Sequence, residues 1–591
     1  MEVQRKLLNS PECCVDEALS GIVSCNGGLV LLRGHRVVLR SDLGALKGHV
    51  ALLSGGGSGH EPAHAGYMGG ALCFLLSGYV GAGMLSGAVA GGVFASPPPG
   101  SVLAGILTLW QAGVSGVLLI VKNYTGDRLN FGLALEQARA RGVRIAMVIV
   151  ADDCAFTHLS KAGRRGLCGT VLVHKLAGAM AERGCSLDEI VAKVTEATKG
   201  IGTLGVSLSP CSVPGCLPTF QLPPGEMEMG LGIHGEPGIK RSKVASADEV
   251  VKSMIDHMTD PSSQSHLSLK SGDSVVLCVN NLGALSCLEM AVVSRAAISC
   301  LEARGVQVAR VMSGSFMTSL EMAGMSLTLM RTDKETLVLF DAKTTAPAWP
   351  NLSTAVLSGR NCSVAPPESA SASEEAADQE GPLSDVMRKV LEEICASLLK
   401  QQEELNALDR AAGDGDCGNT HALAAHAIQE WLNSHVVPGC PGQLLSSLAV
   451  LVQERMGGSS GALYSLFLTA AALPLRGYSH PAAWAEAVHA GTEAMRRYGG
   501  AEPGDRTMLD ALCPAVEELK RLSSAPSGGT MAVLQKAVEK AEQGAESTRD
   551  LTAKAGRASY IAAERVTLPD PGAVAVATML RSVYVALGGS K

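Results

Sequence analysis

Val50-Ala51-Leu52-Leu53-Ser54-Gly55-Gly56-Gly57-Ser58-Gly59-His60-Glu61-Pro62 is the stretch that decides the fold class. A short apolar run opens into a glycine-rich loop carrying polar chemistry, which is how a buried strand of an α/β sheet ends. Two later runs repeat the pattern. Val117–Val121 gives way to Asn123-Tyr124-Thr125-Gly126-Asp127, and Ile145–Val150 to Ala151-Asp152-Asp153. In open α/β sheets ligands sit beyond the carboxyl ends of the strands, so these three loops are where a site is expected. Strands over Val275–Val279, before Asn280-Asn281, and Leu337–Phe340, before Asp341, are predicted to continue the α/β region as a second subdomain to about residue 345.

Beyond that point the composition changes. The stretch from Gly359 to Pro382 includes Ser-Ala-Ser-Ala-Ser-Glu-Glu-Ala-Ala-Asp, too polar and acidic to bury a core, and reads as a linker. From Ser384, a candidate N-cap, the residues Met387, Leu391, Cys395 and Leu399 recur at helical spacing, and the remainder is expected to be all helical. The division is therefore 1–345, a linker over 346–383, and 384–591.

A chain of 591 residues is too long for one core. A formal net charge of -7 and only 3% aromatic residues argue against a nucleic-acid surface, which needs basic stripes and stacking platforms. Seventeen cysteines without a Cys-x-x-Cys pair, and a Met1–Asn9 start without an apolar signal core, point to a reducing cytoplasm. Ala65–Val121 carries no charged residue or histidine, and Met68–Ala95 is long enough to cross a bilayer. Its glycines, the Pro97-Pro98-Pro99 stop and the lack of flanking basic clusters favour buried strands and helices over a membrane span.

Four motifs bear on chemistry. His60-Glu61-Pro62-Ala63-His64 matches the H-E-x-x-H zinc pattern, but the next 57 residues offer no Asp, Glu or His as a further ligand. Gly230-Leu231-Gly232-Ile233-His234-Gly235 matches G-x-G-x-x-G, yet Glu226-Met227-Glu228-Met229 before it makes an unconvincing strand and no βαβ unit frames it. Asp409, Asp414 and Asp416 surround two glycines in Leu408–Cys417, a hard-oxygen set suited to Mg²⁺ with phosphate and water completing its shell; a solvated helix-capping turn is the alternative. Met456-Gly457-Gly458-Ser459-Ser460-Gly461 precedes an expected helix over Ala462–Ala471, whose N-terminus could face a phosphate. No G-x-x-x-x-G-K-[ST] occurs, so any nucleotide is held without a P-loop.

Six motifs in order resemble the single-chain, ATP-dependent dihydroxyacetone kinases, over nearly the whole length. They are Gly55-Gly56-Gly57-Ser58-Gly59-His60-Glu61-Pro62, Lys122-Asn123-Tyr124-Thr125-Gly126-Asp127, Gly230-Leu231-Gly232-Ile233-His234-Gly235-Glu236, Asp414-Gly415-Asp416-Cys417-Gly418, Gly457-Gly458-Ser459-Ser460-Gly461 and Gly556-Arg557-Ala558-Ser559-Tyr560. The resemblance implies a substrate domain of two α/β subdomains followed by an eight-helix barrel that holds ATP and Mg²⁺. It implies that His234 bonds covalently to the substrate carbonyl as a hemiaminal, a step open to ketones and aldehydes but not to glycerol. Gly57, Ser58, Gly59 and Lys122 would hold the hydroxyls, Asp127 would accept the proton of the attacking hydroxyl, and His60 would hydrogen-bond in the same region.

Asp409, Asp414 and Asp416 would hold the metal ions. Gly415, Cys417, Ser459, Ser460, Gly499, Thr507, Met508, Asp570, Pro571 and Gly572, with Asp414 and Asp416, would contact the nucleotide. The family also phosphorylates D-glyceraldehyde, and its animal members split FAD into cyclic FMN and AMP at the ATP site with Mn²⁺ or Co²⁺. Its members are homodimers, and animal relatives are linked to restraint of a cytoplasmic RNA sensor of innate immunity. The chain departs from the family in about twelve extra residues, roughly Met68–Tyr79, where Gly78-Tyr79-Val80-Gly81-Ala82-Gly83 nearly copies Gly66-Tyr67-Met68-Gly69-Gly70-Ala71. If that segment displaces a substrate contact, the alternative is a silenced enzyme acting as a regulatory binding protein.

Overall fold

A computed structural model describes residues 6–63, 78–218, 220–354, 358, 363, 380–524, 529–561 and 566–590. Two compact units divide the chain, Met1–Val364 and Ala365–Lys591.

The first unit is built on two six-stranded sheets. One contains β1 (Leu29–Leu31), β2 (Val37–Arg40), β3 (Val50–Ser58), β4 (Gly87–Val93), β5 (Gly116–Lys122) and β6 (Ile145–Val150), in the order β1-β2-β4-β3-β5-β6. Its four central and distal strands β4, β3, β5 and β6 run parallel, which brings the carboxyl ends of β3, β5 and β6 to one edge. Helix α1 (Cys14–Ser24) precedes this sheet, and α2 (Pro99–Gln111) and α3 (Thr125–Arg139) connect its parallel strands. The second sheet contains β7 (Ile201–Ser207), β8 (Glu226–Met229), β9 (Lys240–Lys243), β10 (Ser274–Asn281), β11 (Gln307–Gly314) and β12 (Gly324–Arg331), in the order β11-β10-β12-β7-β8-β9.

Helix α4 (Gly169–Glu182) packs against strands of both sheets, and every residue from Gly169 to Ala181 is buried. A helix apolar nearly all round is one buried on all sides. It anchors the core that joins the sheets, with Ile120 and Leu118 from one and Val276 and Met330 from the other. Helices α5 (Leu187–Lys199), α6 (Ala247–Thr259) and α7 (Cys287–Ala303) each begin with a reciprocal serine–glutamate capping box.

Several sequence expectations change. Leu337–Phe340 is not a strand but the end of helix α8 (Lys334–Phe340), whose N-cap Asp333 accepts the Thr336 amide; Thr336, Leu339 and Phe340 are buried at helical spacing. Glu226–Met229 is a strand after all, β8, although it lies in an antiparallel run with β7 and β9 and no helix follows to make a dinucleotide fold. His60–Ala63 is not helical, so the zinc-motif spacing does not place its residues on one helix face; His64 lies outside the described residues. The extra segment near Met68–Tyr79 also lies outside them, except Gly78 and Tyr79. Among the described residues no helix is long and apolar enough to cross a membrane.

The second unit contains α9 (Ser384–Lys400), α10 (Gln402–Arg410), α11 (Cys417–Ser434), α12 (Pro441–Arg455), α13 (Gly458–Ala472), α14 (Pro481–Gly499), α15 (Leu509–Leu519), α16 (Thr530–Ser547) and α17 (Pro571–Ala586). Neighbours pack in the cycle α9-α11-α12-α13-α14-α15-α16-α17 and back to α9, a closed ring of eight helices with short α10 set against α11 and α17. Ser384 begins α9 rather than capping it: its hydroxyl accepts the Gly381 amide and donates to the Val437 carbonyl. The buried stripe of α9 ends on Leu398 instead of Leu399. Helix α13 starts four residues before its expected first residue, Ala462, so Gly458, Ser459 and Ser460 form its first turn.

Candidate active sites

At the carboxyl edge of the first sheet, the ring of His234 is enclosed by three aromatic rings set perpendicular to it. His60, Phe94 and Tyr124 have centroids 4.7, 5.3 and 4.6 Å away, at interplanar angles of 83°, 89° and 90°. Phe94 also stacks on His60 at 5.0 Å. Its backbone has φ of +56°, a conformation rare for a bulky residue and a mark of strain kept at a functional place. Gly57 and Gly59 answer to Phe94. A Cβ on Gly57 would lie 2.8 Å from the Ala95 nitrogen and 2.9 Å from the Phe94 carbonyl carbon, and one on Gly59, itself at φ +99°, would lie 2.8 Å from the Phe94 ring.

Both imidazoles are oriented. His234 Nδ1 is 3.1 Å from Glu236 Oε1, and the His234 amide donates to Glu236 Oε2 at 2.9 Å. A carboxylate only accepts, so Nδ1 carries the proton and the lone pair of the neutral ring lies on Nε2. Burial would raise the Glu236 carboxyl, but the His234 hydrogen bond, the positive charge that ring carries when it is protonated, and the charge of Arg165 bring it down to about 2. Arg165 is held by Asp153 at 2.6 Å and donates to the Gly230 carbonyl at 2.6 Å. His60 Nδ1 donates to the Thr318 carbonyl at 2.9 Å, which places its lone pair on Nε2 as well.

Lys122 ends β5 and Asp127 lies in the first turn of α3, both buried. Burial pushes the Lys122 ammonium down, opposed by the carboxylates of Asp127, Glu236, Asp152 and Glu61. Lys122 Nζ, Asp127 Oδ1 and the Tyr124 hydroxyl have no hydrogen-bond partner among the described residues. Three buried polar atoms without such a partner, on the segment whose Tyr124 ring lies against His234, are groups that a small polar guest would satisfy. Ser58 Oγ donates to the Gly91 carbonyl at 3.0 Å, which leaves its lone pairs to accept.

In the second unit the remaining expected residues lie at helix ends. Asp414–Cys417 lead into α11, Ser459 and Ser460 open α13, Gly499 closes α14, Thr507 and Met508 lead into α15, and Asp570-Pro571-Gly572 open α17. Neighbours in an up-and-down ring run in opposite directions, so the N-termini of α11, α13, α15 and α17 share one rim with the C-terminus of α14. Side-chain neighbours agree: a Cβ on Gly572 would lie 3.4 Å from Met508 Cε, and one on Gly499 3.3 Å from Leu463 Cδ2. Four N-termini on one rim favour a polyanion.

Carboxylate oxygens of Asp409, Asp414 and Asp416 lie within 4.8 Å of one another, the donor set and spacing of a divalent hard cation. Asp409 Oδ2 also accepts the amides of Asp416 at 2.9 Å and Cys417 at 3.2 Å, which folds the loop around the cluster. Burial raises the Cys417 thiol to about 12, with the charges of Asp409, Asp570 and Asp416 adding to it, so Asp570 shares this environment. Burial raises the Asp570 carboxyl to about 6 against the cap bond from the Ala573 amide and the charge of Arg506. Arg506 is fully buried at φ +62°, with Nη1 3.8 Å from Asp570 Oδ2.

Phe94, Arg165, Thr318 and Arg506 lie outside every motif quoted from the sequence, whereas Tyr124 and Glu236 lie inside two of them without a role of their own. The local signals were the place of Glu236 two residues after His234 and that of Tyr124 between Lys122 and Asp127.

Comparison with known proteins follows the two units. The chain matches the Dak1 domain over residues 20–74 and 75–348 and the DAK2 domain over residues 411–585. It is 57% identical over 584 residues to the human triokinase/FMN cyclase, covering 99% of each chain. Two crystal structures of the dihydroxyacetone kinase of C. freundii, each 34% identical and covering 99% of this chain and 100% of the other, superpose with TM-scores of 0.64 for the native form and 0.63 for the complex with AMP-PNP and Mg²⁺.

Proposed function

Because the chain belongs to the dihydroxyacetone kinase family, of the animal triokinase type, we propose that it phosphorylates dihydroxyacetone and D-glyceraldehyde with ATP through a hemiaminal on His234. The observation that carries this reading is the fixed tautomer of His234, whose Nδ1 proton is committed to Glu236. Nε2 attacks the carbonyl carbon, a C–N bond forms as the C=O π bond opens, and the oxygen takes a proton from water to become a hydroxyl. The ring, now bonded through Nε2, releases its Nδ1 proton by way of Glu236, so that the hemiaminal is neutral. Glycerol has no carbonyl and is excluded at this step. Gly57, Ser58, Gly59 and Lys122 hold the substrate, Lys122 with a buried ammonium still open to a hydroxyl oxygen.

Asp127 accepts the proton of the terminal hydroxyl as that oxygen bonds to the γ-phosphorus of ATP and ADP leaves. His60 assists through Nε2. Release of the triose phosphate reverses the C–N bond. Phosphoryl transfer requires mainly positioning and charge neutralisation. Residues 1–345 would supply the substrate half and 384–591 the nucleotide half, joined by a linker over 346–383.

Asp409, Asp414 and Asp416 fit Mg²⁺, which when bound supplies positive charge against the phosphate oxygens. The rim of Ser459, Ser460, Gly499, Thr507, Met508 and Asp570–Gly572, with Gly415 and Cys417, would hold the nucleotide. The same rim would take FAD, cleaved to cyclic FMN and AMP with Mn²⁺ or Co²⁺ in place of Mg²⁺. We place the enzyme in the cytosol as a homodimer. The test is ATP-dependent phosphate transfer to dihydroxyacetone by the purified chain, with glycerol as the control. Equal turnover of glycerol would refute the covalent route.

A further inference from the structure

We infer that Thr318-Ser319, on the loop between β11 and β12, forms a bracket that sets His60 and His234 in register, with Ser319 a positioning residue for the covalent step. The inference rests on the hemiaminal reading above.

Two consecutive residues grip the two histidine loops, which are far apart in sequence. On one side, the Thr318 carbonyl accepts His60 Nδ1 at 2.9 Å, the Thr318 amide donates to the His60 carbonyl at 3.2 Å, and Thr318 Oγ1 donates to the Glu61 carbonyl at 2.7 Å. On the other, Ser319 Oγ donates to the carbonyl of Ile233, the residue before His234, at 2.6 Å. A carbonyl cannot donate, so the Ser319 proton is committed there, and Cys211 Sγ, 3.4 Å away, is the donor to Ser319 Oγ.

The loop is itself rigidly held. Asn280 Oδ1 accepts the amides of Phe316 and Met317 at 2.8 and 2.9 Å, and Asn280 Nδ2 donates to the Met317 carbonyl at 2.7 Å. Ser319 is fully buried, its amide donates to the Leu282 carbonyl at 2.7 Å, and Leu320 follows at φ +54°, donating its amide to the Gly59 carbonyl at 2.9 Å. A strained non-glycine residue that bonds to the His60 loop belongs to a built feature rather than a connection between strands. The bracket fixes the 4.7 Å separation of the two rings, and with it the position of Nε2 of His234 relative to the group that hydrogen-bonds the bound substrate.

The full-length protein would be titrated with [2-¹³C]dihydroxyacetone and the hemiaminal carbon followed by ¹³C NMR, in wild type, Ser319→Ala and Cys211→Ala. Ser319→Ala is expected to need about tenfold more substrate for half-saturation, the size of one net hydrogen bond, with the KM for dihydroxyacetone rising in step and the KM for ATP unchanged. Cys211→Ala, which empties part of the same buried pocket while leaving the Ser319–Ile233 bond, should saturate as wild type does. Should Ser319→Ala not fold, Ser319→Cys keeps the shape with a weaker donor and should shift half-saturation by about two- to fivefold. Wild-type saturation in the folded Ser319 variant, or an equal shift in Cys211→Ala, would overturn the bracket alone. No hemiaminal resonance in wild type would overturn both the bracket and the reading on which it rests.

Discussion

Glu236 binds His234 twice, through the ring Nδ1 at 3.1 Å and the main-chain amide at 2.9 Å, so one carboxylate sets both the tautomer and the backbone turn of the imidazole. Glu236→Gln keeps the size but replaces one accepting oxygen with a donor. It should lower kcat/KM for dihydroxyacetone by about 10- to 100-fold and leave the KM for ATP unchanged. The Glu236 carboxyl lies at about 2 in the fold, below its ordinary value of about 4.3. Its stabilising contribution is therefore complete above the ordinary value and lost only as pH falls through about 2. Steady-state rates between pH 5 and 9 should show no acidic limb due to Glu236, and a limb that Glu236→Gln removes would count against this assignment.

Gly59 faces the Phe94 ring at a backbone angle that L-residues avoid. Gly59→Ala must push Phe94 or the His60 loop aside and pay roughly 1–2 kcal/mol of backbone strain. Kinetics should show kcat/KM for dihydroxyacetone down at least about tenfold, the increment expected from that strain, while Mg·ADP binding is retained.

Asp414→Asn separates the two halves of the reaction. The variant should lose ATP-dependent turnover by about 10³-fold, as expected when a metal-held phosphoryl group is no longer neutralised, yet form the hemiaminal at wild-type substrate concentrations. Isothermal titration with Mg·ADP and ¹³C NMR with labelled dihydroxyacetone read the two effects independently. Joint loss of both signals would show that the carboxylate does more than hold the cation.

Asp570 gives a pH signature. Its folded carboxyl at about 6 exceeds the ordinary value of about 3.9, so the folded state holds the proton more tightly than the unfolded chain does. Its contribution is fully present below about 4 and lost as pH rises through 6. Melting temperature without nucleotide should therefore fall less steeply between pH 4.5 and 7 in Asp570→Asn than in wild type, and identical slopes would contradict the assignment.

The three strand-end loops of the first sheet could be read from sequence because strand, glycine-rich break and polar residue are adjacent in the chain, and the sheet then brings Lys122 and Asp127 to one edge. The Asp409–Asp416 cluster was legible for the same local reason. Phe94 and Thr318-Ser319 were not, since they act on His60 and His234 through contacts made only by the fold, and nothing near them in sequence announces it. Leu337–Phe340 was misread because four apolar residues fit a strand and a helix end equally well. Asp333, three residues before Thr336, is the cap that distinguishes them.

The measurement that tests the central claim most directly is ¹³C NMR of the whole protein with [2-¹³C]dihydroxyacetone, in wild type and in His234→Ala, alongside ATP-dependent formation of the triose phosphate. A hemiaminal resonance and kinase turnover present in wild type and both absent in His234→Ala are the expected result. Full turnover in His234→Ala, or turnover in wild type with no covalent carbon at saturating substrate, would contradict the covalent role of His234.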